Sequence, residues 1–145
     1  MRYTQYLETL PAGKCPFCHS EGRRFVENEE AFLTYALAPY HRHHLLVIPK
    51  GHKKSFLELS RYERESVWEL MDKGASVLRG LGYESFTFMI REGRGGAKSL
   101  EHVHCHLIPD TRMGDLDHDN NERVLMSDQE VQSISEEIKK IIQKG

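Results

Sequence analysis

Polar and apolar positions alternate most strictly between Glu101 and Pro109. There His102, His104 and His106 take every second place, and Val103, Cys105 and Leu107 fill the places between. Successive side chains of an extended strand point to opposite faces, so this spacing lines the imidazoles along one face and the apolar groups along the other. On a helix the same spacing would fan the histidines around the cylinder. Apolar runs bounded by turn residues predict four further strands: Arg24–Asn28 and Ala31–Leu37, with Asn28-Glu29-Glu30 as the turn, then His44–Pro49 and Ser85–Arg91. His44–Pro49 is apolar enough to be central and is stopped by Pro49 and Gly51. The first three of these strands read as an antiparallel meander.

Two stretches carry helical periodicity instead. Ser60 and Glu63 have capping-box spacing, and after them Val67, Leu70, Met71, Ala75, Leu78 and Leu81 recur at intervals of three and four, flanked by Trp68 and Val77. Gly80 and Gly82 are placed to end this helix. Ser127 and Glu130 repeat the capping pair, and Val131, Ile134, Ile138, Ile141 and Ile142 then share one face. Residues 1–13 show no clear pattern and read as a short leader. The sum is an α+β fold: an antiparallel sheet of about five strands, one covering helix and a C-terminal helix. We expect a single domain over 1–145, with its core at about 15–110 and a polar loop and helix over 111–145.

At 145 residues the chain can build a core without disulfide staples. A net charge of −2 argues against wholesale wrapping of nucleic acid, so no specific nucleic-acid partner is expected. No apolar run approaches membrane-spanning length, and the first residues lack the apolar core of a secretory signal. Three cysteines, two of them in Cys15-Pro-Phe-Cys18, fit a reduced compartment, and a soluble, cytoplasmic chain is expected. The C-x-x-C has three readings: a redox pair, an exposed pair without metal, and a zinc knuckle completed by two of the nine histidines. Polar and then extended sequence after the motif disfavours redox, and zinc is the preferred reading. The acidic stretch from Thr111 to Arg123 lacks the ligand spacing of a calcium loop and reads as solvated.

Before the histidine strand lies Arg91-Glu-Gly-Arg-Gly-Gly-Ala-Lys-Ser99, a cationic, glycine-rich loop ending in a hydroxyl. Glycine allows close backbone approach, so such a loop can offer N–H groups to phosphate oxygens. Imidazole serves as nucleophile when neutral and as acid when charged. A phosphate cradle feeding a strand of histidines points to phosphoryl or nucleotidyl chemistry.

At these residues the chain resembles the histidine triad (HIT) superfamily, from about Cys15 to Pro109 and including Leu45-Leu-Val-Ile-Pro-Lys50. The resemblance implies a nucleotide hydrolase or transferase acting at the α-phosphate of a small nucleotide substrate, with a homodimer as the expected assembly. It assigns His104 the attack on phosphorus and His106 a phosphate contact with proton movement. Ser99, the backbone of Gly93, Gly95 and Gly96, and the added cations Arg91 and Lys98 would hold phosphate oxygens. Similarity to the zinc-containing branch further implies a structural zinc on Cys15, Cys18, His52 and His102. His106, in place of the glutamine of the transferase branches, favours hydrolysis of a phosphoanhydride or phosphoramidate such as a dinucleoside polyphosphate.

The chain also departs from the family pattern. Arg91 stands for a common asparagine, Lys98 for a glutamine, Asp110 for an arginine, and Ala36 for the acid that usually grips the ribose. These changes favour a more anionic substrate, or else a nucleotide-binding module without turnover. His44 is expected to make a structural hydrogen bond. His41 and His43, with Arg42, read as a solvated loop or a cationic rim for polyphosphate.

Overall fold

The computed structural model describes residues 1–10, 15–93, 102–110 and 123–144. Along the chain come helix α1 (Tyr3–Thr9), strands β1 (Val26–Glu27), β2 (Ala31–Tyr35) and β3 (Leu45–Pro49), and helix α2 (Arg61–Gly80). Strands β4 (Phe86–Ile90) and β5 (Cys105–Pro109) and helix α3 (Asp128–Lys144) follow. The strands form one antiparallel sheet in the order β1-β2-β3-β5-β4. The expected α+β architecture and the central place of β3 are present. The loop 111–122 and the residues 94–101 lie outside the described residues.

Three expectations change in detail. The Arg24–Asn28 strand shrinks to Val26–Glu27, and β5 begins at Cys105, so His102 and His104 lead into the strand rather than lying within it. Residues 1–13 are not featureless, because α1 occupies Tyr3–Thr9. Tyr3, Tyr6 and Leu7 recur there at helical spacing, and the segment is anchored through tertiary contacts: Arg2 bridges to Val124, and the Tyr3 N–H donates to the Arg123 carbonyl at 3.2 Å.

One face of the sheet is closed by α2. Ala31, Leu33, Leu45, Val47, Val103, Cys105 and Leu107 meet Val67, Leu70, Met71, Val77 and Leu78 in one buried cluster. The capping box forms as read: the Ser60 hydroxyl accepts from the Glu63 N–H, and the Glu63 carboxylate accepts from the Ser60 N–H. Ser127 and Glu130 make the same reciprocal pair at the start of α3. That helix buries Ile134 and Ile138 and sets Ile141 against Gly80 of α2.

Gly74 belongs to the buried face of α2, between the positions that periodicity picked out. A Cβ there would stand 2.7 Å from Leu107 Cδ2 and 3.3 Å from Leu33 Cδ1, both in fully buried side chains. The glycine therefore sets how closely α2 approaches β5, at a helix-propensity cost of about 1 kcal/mol. Gly74→Val should lower unfolding free energy by about 2 kcal/mol, the usual scale of overpacking, as read by urea denaturation. An unchanged midpoint would show that α2 does not need this close approach.

Candidate active site

Strand register sorts the histidines. Leu45 pairs with Leu107, Leu46 with His106 and Val47 with Cys105. Val103, Cys105 and Leu107 enter the core under α2, so His106 faces the other side, beside Leu46. A second buried cluster of Phe17, Phe32, Ala36, Leu46 and Ile48 forms there. The alternation read from sequence thus holds in space, even though regular pairing starts only at Cys105. His102 and His106 are buried and His104 is half-buried.

Hydrogen bonds fix the tautomers. A neutral imidazole has one donor and one acceptor nitrogen, so each bond determines the other end of the ring. The Tyr40 N–H donates to His44 Nδ1 at 3.2 Å, which puts the His44 proton on Nε2. His44 Nε2 lies 2.8 Å from His106 Nδ1 and donates to it, so the His106 proton sits on Nε2. His104 runs the other way: its Nδ1 lies 2.7 Å from the His102 carbonyl, which can only accept, so Nε2 carries the lone pair. The His104 and His106 rings stand 4.8 Å apart, centroid to centroid. A nucleophilic nitrogen and an N–H donor can therefore act side by side. Burial first, and then the charges of His104, His44, Arg91 and Arg123, hold His106 well below the ordinary imidazole pKa. Burial chiefly does the same for His44.

His102 turns to a different task. Its Nε2–H donates to the Pro49 carbonyl at 2.8 Å, which directs Nδ1 at Cys15 Sγ, 3.3 Å away, and Cys18 Sγ, 3.6 Å away. His52 Nδ1 lies 3.2 Å from Cys18 Sγ. The Val103 N–H donates to the Lys53 carbonyl at 2.8 Å and so fastens the His52 loop beside the histidine segment. All four donor atoms fall within 4.8 Å of one another and could hold a metal ion. A tetrahedral zinc with bonds of about 2.3 Å to sulfur and 2.05 Å to nitrogen separates such ligands by about 3.5 Å, so the donor set fits. Without a metal, burial and the neighbouring Cys15 push the Cys18 thiol up to about 11. Phe17, inside the C-x-x-C, meets the His102 ring at 5.8 Å and the His104 ring at 5.1 Å. It joins the two sites, a role its position in the motif did not announce.

Of the expected phosphate-binding loop, Arg91 and Gly93 are described, whereas Gly95, Gly96, Lys98 and Ser99 lie outside the described residues. The Arg91 charge is felt at His106 and at Arg123. Gly93 has a φ of 89°, the left-handed backbone that glycine accepts readily. Within the 41–43 cluster, exposed Arg42 and buried His43 tie α3 to the sheet. His43 Nε2 and Arg42 Nη2 each lie 2.5 Å from a Glu137 oxygen, and His43 Nδ1 lies 2.7 Å from the Tyr83 hydroxyl. Sequence reading also missed Tyr3 and Arg123, which line a small cleft together with His104 and His106.

Neutral burial of His44 and His106 has a sign. Their folded pKa values lie below the ordinary 6.5, so as pH falls the unfolded chain takes up protons first and stability drops from about pH 6.5 downward. Each group steepens that fall by up to about 1.4 kcal/mol per pH unit. His44→Gln should flatten the acid limb of stability against pH, measured by denaturation between pH 7 and 5. Equal slopes in the two proteins would contradict neutral burial of His44.

Comparison with known proteins agrees with this geometry. The HIT domain profile matches residues 19–113. A bis(5′-adenosyl)-triphosphatase of Dictyostelium discoideum is 27% identical over 110 residues, 75% of this chain and 72% of that protein. An adenosine 5′-monophosphoramidase of Schizosaccharomyces pombe is 35% identical over 79 residues, 54% of this chain and 56% of its own length. The chain thus spans little more than half of that relative. A zinc-bound histidine triad family protein of Mycobacterium smegmatis superposes with a TM-score of 0.70 at 20% identity, covering 90% of this chain and 94% of that one. With the profile matched across most of its length, this chain belongs to the histidine triad (HIT) family.

Proposed function

We propose that the protein hydrolyses a nucleotide phosphoanhydride or phosphoramidate at the α-phosphate, through a nucleotidyl-histidine intermediate on His104. The observation that carries this reading is the pair of opposed tautomers. His104 Nε2 offers a lone pair because its Nδ1–H is held by the His102 carbonyl, and His106 offers an Nε2–H because His44 donates to its Nδ1. His104 Nε2 forms the N–P bond as the bond from phosphorus to the leaving group breaks. His106 Nε2–H donates towards the phosphate and the departing atom. Water then attacks the same phosphorus and releases a proton to solvent as the N–P bond breaks and its electron pair returns to His104. Covalent catalysis of this kind replaces one hard displacement by two easier ones. Arg91, Lys98, Ser99 and the amides of Gly93, Gly95 and Gly96 would neutralise and position the phosphate oxygens. The activities named for the D. discoideum and S. pombe relatives favour hydrolysis of dinucleoside polyphosphates and phosphoramidates.

Cys15, Cys18, His52 and His102 are proposed to hold a structural zinc ion. Four protein ligands leave no open position, so the metal would brace the segment that carries His104 and take no part in the reaction. The ligand spacing and the zinc-bound relative support this.

Two tests follow. His104→Ala should reduce hydrolysis of diadenosine triphosphate and adenosine phosphoramidate by at least about 1000-fold while leaving the circular dichroism spectrum unchanged, as expected when a nucleophile is lost. Appreciable turnover in that variant would sink the covalent mechanism, and turnover only with inorganic phosphate would make the protein a phosphorylase. Wild-type protein should contain one zinc per chain by metal analysis. Cys15→Ser should lose the metal and melt at lower temperature, since structural metal binding is coupled to folding. Metal-free wild type with an unchanged melting point on chelation would overturn the zinc assignment.

A further inference from the structure

The ladder between β4 and β5 stops at Ile90 and Cys105. Carried on by the same register, Arg91 falls level with His104 and Glu92 level with Val103. Beyond that last pair, both strands turn instead to residues 53–56. The Val103 N–H donates to the Lys53 carbonyl at 2.8 Å. Glu92 takes two donors a little further along the same segment, the Ser55 hydroxyl at 2.8 Å and the Phe56 N–H at 2.5 Å. Each carboxylate oxygen serves one donor, so the contact fixes the direction of the side chain as well as its distance.

The anchor is itself held from several sides. Ser55 Oγ accepts from the Leu57 N–H at 3.1 Å, which leaves its proton for Glu92. Phe56 packs against the core, and Arg64 of α2 lies over its ring at 4.8 Å with Nη2 3.4 Å from its carbonyl. On the other side of Lys53, His52 Nδ1 reaches Cys18 Sγ. Residues 52–56 therefore form a spine that meets the candidate metal cluster, the histidine segment and the exit of β4 in turn. At that exit Glu92 stands between Arg91 and Gly93, the described part of the proposed phosphate-binding loop. The Arg91 charge bears on His106, and the φ of 89° at Gly93 turns the chain directly after Glu92. An acid in this cationic stretch is explained by what it grips, because both its oxygens are committed to residues 55 and 56.

We propose that Glu92 is a positioning residue: its carboxylate clamps the exit of β4 to Ser55 and Phe56, and so fixes Arg91 and Gly93 relative to His104 and His106. The clamp rests on the triad chemistry proposed above and adds the contact that holds its phosphate-binding side in register. A nucleophile and the phosphorus it attacks tolerate little relative displacement, so a loosened clamp costs rate more than it costs binding.

The test is steady-state hydrolysis of diadenosine triphosphate and adenosine phosphoramidate by the full chain, with thermal melting followed on the same samples. Glu92→Ala removes both contacts and should lower kcat about 10- to 100-fold, with KM changed by no more than about threefold. Glu92→Gln keeps an oxygen for the Phe56 N–H and offers an amide to Ser55 Oγ, so its kcat should stay within about threefold of wild type. Ser55→Ala breaks the clamp from the far side and should lose part of kcat. Because the two residues act through one contact, the double variant should be no slower than Glu92→Ala alone. Unchanged kcat in Glu92→Ala, whatever its melting temperature, overturns the clamp and leaves the triad chemistry standing. Equal kcat losses in Glu92→Ala and Glu92→Gln, or losses that multiply in the double variant, do the same. Wild type inactive on both substrates overturns both readings, since the clamp acts only through that reaction.

Discussion

The hydrogen bond from His44 to His106 is the constraint on which the candidate active site depends. It joins a residue just before β3 to one inside β5, and both rings are almost wholly buried. Because the Tyr40 amide holds the far nitrogen of His44, the direction of this bond has one solution, and that solution passes on to the proton of His106. Buried imidazoles next to arginines stay neutral, since a second charge would meet desolvation and repulsion together. The protein thus presents a defined N–H donor at neutral pH without an acidic residue to orient it. His104, turned over by the carbonyl of His102, supplies the complementary lone pair.

Three histidines at one spacing consequently divide between two environments. His102 faces the cysteines through Nδ1 because Pro49 takes its Nε2–H, and the same residue lends its carbonyl to His104. Anything that moves His102 therefore moves the lone pair of His104. Phe17 couples the sites a second time, touching both rings from within the C-x-x-C. A metal in the four-ligand cluster would act on the reaction only through this positioning.

Much of this was legible in the chain itself. Period-two alternation at 102–107 sorted histidines from core residues correctly, since sheet register obliges alternate residues to separate. The capping pairs at Ser60 and Ser127 were readable because they are local. His52 and His102 were named beside Cys15 and Cys18 through family resemblance, and the structure brings all four together. What escaped was long-range. Glu137 captures His43 and Arg42 from 94 and 95 residues away, and no local pattern distinguishes that latch from a cationic rim. Tyr3, Tyr40 and Arg123 likewise become a unit only when both ends of the chain meet. Gly74 hid inside a helical stripe because a missing side chain leaves no mark in a hydrophobic pattern.

The central claim is that His104 and His106 hold opposite tautomers in the resting protein. Long-range nitrogen–proton NMR correlation on histidine-labelled protein at pH 7 reads the ring nitrogens directly. The account predicts the Nδ1–H form for His104 and the Nε2–H form for His44 and His106, with the His106 signals of wild type reverting towards a mixture in His44→Gln. Finding His104 protonated on Nε2, or His106 charged at neutral pH, would contradict it.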